Sequence, residues 1–122
     1  MALLDDDLKA FLESDVAVLV GTRSADLVPA MTMGWGPRVL PGGQEVRLFV
    51  DAAAGAKVLE NLQDNRLLAV TMTSPISYRS VQLKGWCLEI DEAEPEDEAW
   101  LAKHRESFSE SARARGLTAH AT

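Results

Sequence analysis

The chain has 122 residues and a formal net charge of −7, with 47% hydrophobic and 25% charged residues. That describes one domain, 1–122, with enough apolar side chain for a core, too apolar to be disordered and too acidic to track nucleic-acid phosphates, which needs clustered Lys and Arg. Cys87 stands alone and only His104 and His120 accompany it, so an internal disulfide is excluded and no zinc-ligand spacing exists.

No apolar run approaches the roughly 20 residues of a membrane span. The N-terminus, MALLDDDLKAF, is acidic where a secretory leader is basic, so a cytoplasmic location and no membrane partner are expected. Asp5 is placed to cap an opening helix whose apolar positions Leu4, Leu8, Phe11 and Leu12 fall at i, i+4, i+7 and i+8. Val16 to Val20 is a continuous apolar run rich in β-branched residues and reads as a strand buried on both faces. After the polar turn Arg23 to Asp26, Leu27 to Trp35 reads as the returning strand of a hairpin, which Gly34, Gly36 and Pro37 end or bend.

The segment GPRVLPGG is dense in glycine and proline and predicts a loop. Glu45 to Val50 alternates charged and apolar residues as a third strand. Asp51 then suits the N-cap of a helix running to Asn65, with Val58, Leu59 and Leu62 as its buried stripe. Leu67 to Thr73 is a fourth strand and Tyr78 to Ile90 a long fifth, in which Arg79, Val81 and Leu83 share one face and Ser80, Gln82 and Lys84 the other. The acidic DEAEPEDE turn leads into a helix opened by Pro95, with Trp100, His104, Phe108 and Ala112 at i+4 steps and Gly116 as its stop. Helix, three strands, helix, two strands, helix suits a small closed antiparallel barrel with helices outside it, or an open α+β sandwich.

Other chemistries find no pattern. Ser, His and Asp occur without a nucleophile elbow, and no glycine-rich loop follows a strand in the dinucleotide or P-loop manner. His104 reads as a packed helix residue rather than a general base, and the acids from Asp91 to Asp97 as a solvated turn.

The run FVDAAAGAKVLENLQDNRLLAVTMTSPISYRSVQLKG, from Phe49 to Gly85, resembles the flavin-nucleotide segment of the pyridoxamine 5′-phosphate oxidase-like split barrels, and the resemblance extends from about Val16 to Ile90. It implies a mainly β fold with flanking helices, a mostly antiparallel split β-barrel of the FMN-binding type. It also implies a homodimer with FMN at the subunit interface, acting as an oxidoreductase on a small-molecule substrate. In the family's phosphate-oxidase members a Ser-Arg-Lys triplet before the middle helix holds the FMN phosphate. Here the triplet is Gly55, Ala56 and Lys57, so the resemblance assigns Lys57 to the phosphate. Read from the residues alone, Lys57 is an exposed helix lysine paired i, i+3 with Glu60.

The family's fifth strand begins Arg-Gln. Arg79 matches, Ser80 stands at the glutamine position, and Gln82 follows on the same face, which places Ser80 and Gln82 near the phosphate or ribityl chain, or leaves them ordinary polar residues of a half-exposed strand. On the second strand the family's arginine is absent, and Thr32 and Met33 fall where backbone and side chains run along the flavin ring. Trp35 suits ring stacking or interface packing. Family members continue past the last helix into one more strand, so the resemblance implies that a final C-terminal strand is lacking. The long C-terminal substrate-binding portion of the true oxidases has no counterpart either, which disfavours vitamin B6 oxidation. The departures leave an alternative: a non-catalytic split-barrel dimer that has lost flavin, or the same fold holding a deazaflavin or haem.

Overall fold

The structure, a computed structural model, describes residues 4–114 and the side chains of 4–106. Helix α1 (Asp6–Leu12) is followed by strands β1 (Ala17–Arg23), β2 (Pro29–Val39) and β3 (Val46–Val50), helix α2 (Ala56–Asn65), strands β4 (Leu67–Thr73) and β5 (Ser80–Trp86), and helix α3 (Asp97–Ala114). The five strands form one antiparallel sheet in the order β3-β2-β1-β4-β5. The fold is mainly β: a curled half-barrel flanked by three helices, the architecture of a split barrel. The closed barrel expected from the pattern is not formed among the described residues, where β3 and β5 are the edges.

The core lies on one face of this sheet. Val18 and Val20 of central β1 stand beside Val70 and Met72 of β4, and Leu12, Val16, Val39, Val58 and Leu62 complete a buried cluster. Each such side chain removed from water contributes about 1.5–3 kcal/mol. Because successive strand residues point to opposite faces, β1 alternates between buried and half-buried positions rather than being buried on both faces. Helices α1 and α2 cover the core face. Asp5 caps α1 as expected, its Oδ1 accepting from the Leu8 N–H at 2.8 Å, and the negative first turn, Asp6 and Asp7, suits the helix dipole. On α2, Asn61 and Asn65 lie one turn apart and clamp the end of β1: Asn61 Nδ2 donates to Thr22 Oγ1 at 3.1 Å and Asn65 Nδ2 to the Arg23 carbonyl at 2.9 Å.

Three elements differ from the sequence expectation. Asp51 is not the N-cap of α2. Its carboxylate accepts from Ala53 and Ala54, both at 2.9 Å, and closes a preceding turn, while the helix starts after Gly55. The fifth strand stops at Trp86, where its partner Leu67 begins β4, because pairing beyond that point has no strand to pair with. The expected loop GPRVLPGG is half strand: β2 runs on through Arg38 and Val39, paired with Arg47 and Val46.

What Gly36 and Pro37 do is bend β2. Between the pairs Trp35–Phe49 and Arg38–Arg47, two β2 residues oppose one β3 residue, which is a β-bulge. Gly36 takes φ +58°, which glycine adopts without cost, and Pro37 has no N–H to leave unpaired. The bulge frees the Gly36 backbone groups, and α3 captures both: Gly36 N–H donates to His104 Nδ1 at 2.9 Å, and Trp100 Nε1 donates to the Gly36 carbonyl at 2.8 Å. Arg38 stacks on Trp100 and Arg105 on Trp35, 3.9 and 5.3 Å from the ring centres. His104 is thus a packed helix residue, as read from the pattern. Phe108 and Ala112 of the same stripe, and the stop at Gly116, lie outside the described side chains and residues.

Candidate functional site

Strand β3 pairs with β2 only from Gly34 onward, so the stretch Pro29–Met33 extends past it and one backbone edge there has no strand partner among the described residues. The N-terminus of α2 lies against this stretch. Gly55 sits so close to Thr32 that a Cβ on Gly55 would come within 3.2 Å of Thr32 Cγ2 and 2.9 Å of the Asp51 carbonyl, so only glycine allows the approach. Thr32 is buried beneath this contact. Lys57 follows in the first helical turn, solvent-exposed, with its Nζ 3.4 Å from Glu60 Oε1. The i, i+3 pair read from the residues is present. At such exposure it contributes little, at most about 1 kcal/mol, and it leaves the ammonium able to reorient.

Met33 points to the opposite, open face of the sheet, and that face gathers the other two predicted residues. Pairing aligns Met33 of β2, Leu19 of β1, Thr71 of β4 and Gln82 of β5 in one row across four strands. Gln82 Nε2 donates to Thr71 Oγ1 at 3.3 Å, and one step along, the Ser80 and Thr73 hydroxyls are 2.9 Å apart. The half of the row on β2 and β1 is apolar, and the half on β4 and β5 carries hydroxyl and amide groups. Met31 and Trp86 extend the exposed apolar surface on the same face.

The five predicted positions therefore divide. Thr32 and Lys57 lie at the start of α2, and Met33 lies beside Thr32 on the same free stretch of β2 but faces the open side. Ser80 and Gln82 stand on β5, three strand spacings away, about 14 Å along the sheet. Thr71, Thr73 and Leu19 join the open face without having been singled out. The signal was available, since Thr71 and Thr73 share a period-2 face that an antiparallel hairpin sets opposite Ser80 and Gln82. Arg79 leaves this face and stacks on Phe11 of α1, 4.5 Å from the ring centre, so it braces α1. Trp35, half-buried under Arg105, is also held in packing.

Cys87 is the free cysteine of the chain and is half-buried. Burial pushes its thiol above the ordinary value, outweighing the opposing effects of the Glu89 carbonyl, 3.5 Å from Sγ, and of Arg66. Among the described residues no His, Cys, Asp and Glu group is arranged to hold a metal, and no helix is long and apolar enough to cross a membrane. Comparison with protein-family models, curated proteins and solved structures finds no match for this chain.

Proposed function

We propose that this chain is an FMN-binding subunit of a split-barrel homodimer, an oxidoreductase of the pyridoxamine 5′-phosphate oxidase-like type acting on a small-molecule substrate in the cytoplasm. The observation that carries the reading is the unpaired backbone edge at Pro29–Met33, beside the first turn of α2. Free amides and carbonyls along a strand edge suit the hydrogen-bonding rim of a flavin. A helix start with an exposed lysine suits its phosphate. The residues fit the group in kind: one cation and helix amides for the phosphate, an apolar Met33–Leu19 floor for a planar ring, and hydroxyl and amide donors on Thr71, Ser80 and Gln82.

In this reading Lys57 turns from Glu60 to the phosphate, Thr32 supports the α2 start from beneath, and Met33 lines the ring. Ser80 and Gln82 lie too far along the sheet to meet the same ligand within one subunit, so a second copy brings its β5 donors to the ribityl or phosphate side. The bound FMN supplies hydride acceptance and donation, and the protein's share is anchoring, orientation and an open face for substrate.

The test is a visible absorption spectrum of the purified protein, then an FMN titration followed by tryptophan and flavin fluorescence. Saturable binding in the micromolar range or tighter, about −8 kcal/mol or better, is expected. Lys57→Ala is expected to weaken it about tenfold, by the charge-assisted bond it removes. Light scattering should report a dimer, and a stable monomer that still binds flavin would sink the interface arrangement.

A second reading, a non-catalytic dimer that has lost flavin, is favoured by one observation: Lys57, Ser80 and Gln82 all have partners within the chain, in Glu60, Thr73 and Thr71. A colourless protein that does not bind FMN selects it, and a deazaflavin or haem spectrum selects the same fold with another cofactor.

A further inference from the structure

Among the described residues, His104 is the one titratable group that joins α3 to the sheet through a buried hydrogen bond. Its ring is only 7% exposed. Because Nδ1 accepts from the Gly36 N–H, it carries no proton there, so the neutral ring bears its hydrogen on Nε2. Among the described residues, that Nε2–H is buried without a hydrogen-bond partner. The ring lines a cavity of about 60 Å³ shared with Glu13, Ser14, Asp15, Trp100 and Lys103, wide enough to admit water.

We infer that His104 is an acid-sensitive latch: the neutral ring docks α3 on the β2 bulge, and protonation releases it. A proton taken from solvent adds to Nδ1, the one basic nitrogen of the neutral ring, whose lone pair the Gly36 N–H engages in the docked state. The Gly36 N–H then faces an N–H instead of an acceptor, and their hydrogen bond breaks. The bulge leaves that amide no strand partner, so the docked state takes up the proton only with the loss of that hydrogen bond.

The surrounding charges set the direction. From the α1–β1 connection, Asp15 favours the charged ring, and Glu13 is engaged by the Val39 N–H at 2.8 Å. From β2 comes Arg38, stacked on Trp100, and from α3 itself come Lys103, beside the cavity, and Arg105, which opposes the charge. Burial outweighs these and holds the ring's pKa below its ordinary value. Docking is therefore unaffected at and above neutral pH. It weakens as pH falls through the ordinary histidine range, and the loss ends once the depressed value is passed.

The test compares the protein with its His104→Asn variant, both carrying His120→Gln, between pH 7.5 and 5. Asn Oδ1 stands where Nδ1 does and accepts the Gly36 N–H without titrating. Tryptophan emission, which senses Trp100 and Trp35, is expected to report an undocking constant rising up to about tenfold per pH unit below the ordinary value, and the variant is expected to be flat. In the parent, the Gly36 amide and His104 ring NMR resonances should move with the same midpoint, which decides the matter if the variant does not fold. An identical pH profile in the variant overturns the latch, as does a ring that titrates at its ordinary value while the Gly36 amide stays still.

Discussion

The two ends of β2 belong to one strand and are treated in opposite ways. At the Gly36 end, a bulge frees a backbone N–H and C=O, and α3 supplies a side chain for each, so neither backbone group is left open. At the Pro29–Met33 end, the strand outruns β3, and among the described residues no strand pairs with its edge, which lies beside the start of α2. Both ends expose backbone groups, but the fold completes one and leaves the other open. Satisfying buried polar groups is a condition of stability. Leaving a polar edge open, beside a cation and an apolar surface, suits binding.

The largest expected effect breaks the completed end. Gly36→Ala forces a side chain onto φ +58° and puts a Cβ 3.0 Å from Trp100 and 3.2 Å from Leu101. The backbone strain costs about 1–3 kcal/mol, and the crowding pushes α3 away, so the urea midpoint should fall at the upper end of that range. An unchanged midpoint would mean that α3 docking adds nothing to stability. Gly55→Ala probes the contact beside the open end. Its Cβ would meet the Asp51 carbonyl, a backbone atom that cannot rotate aside, at a cost of about 1–2 kcal/mol. If the open end is the FMN site, this variant also loses flavin affinity while Gly36→Ala keeps it, and equal losses in both would erase the distinction between the ends.

Trp100→Phe is a milder break of the completed end. It keeps the ring under Arg38 but removes the bond to the Gly36 carbonyl, so about 1 kcal/mol is expected. Because the His104 bond survives, α3 should stay docked at neutral pH, seen as an unchanged far-ultraviolet helix signal.

How much of this the sequence revealed follows from which interactions are local. The fourth strand, Leu67–Thr73, and the Asp5 cap are legible because periodicity and capping act within a few residues. The bulge is not, since glycine and proline mark a turn and a bulge equally, and the choice is made by β3 continuing to Val46 on the other side. The end of the fifth strand is set in the same way: Trp86, Leu88 and Ile90 still alternate, though on the face of Ser80, Gln82 and Lys84 instead of that of Val81 and Leu83, and β4 supplies no partner past Trp86. The roles of Gly36 and His104 depend on each other across 68 positions, which no window of the sequence contains. At the candidate site, the family resemblance, and not the residue types, suggests Lys57, Thr32 and Met33. The free edge beside them depends on β3 being short, a property of the sheet rather than of any of the three.

The smallest effect on stability is the sharpest test of the open end. Met33 is 42% exposed on the free face, so Met33→Ala removes few contacts from the folded subunit. Its stability should stay within about 0.5 kcal/mol of the parent. If the open face is where a planar ring and a second copy meet, the same change should still weaken flavin binding or dimerisation measurably, because the apolar area that Met33 lacks in the single subunit is gained only there. Stability and binding would then separate at this residue, as they would not at Gly36. A loss of more than about 2 kcal/mol in subunit stability would be of the size that follows truncating a packed core side chain, and would mean that Met33 is held by packing and that both ends of β2 are structural.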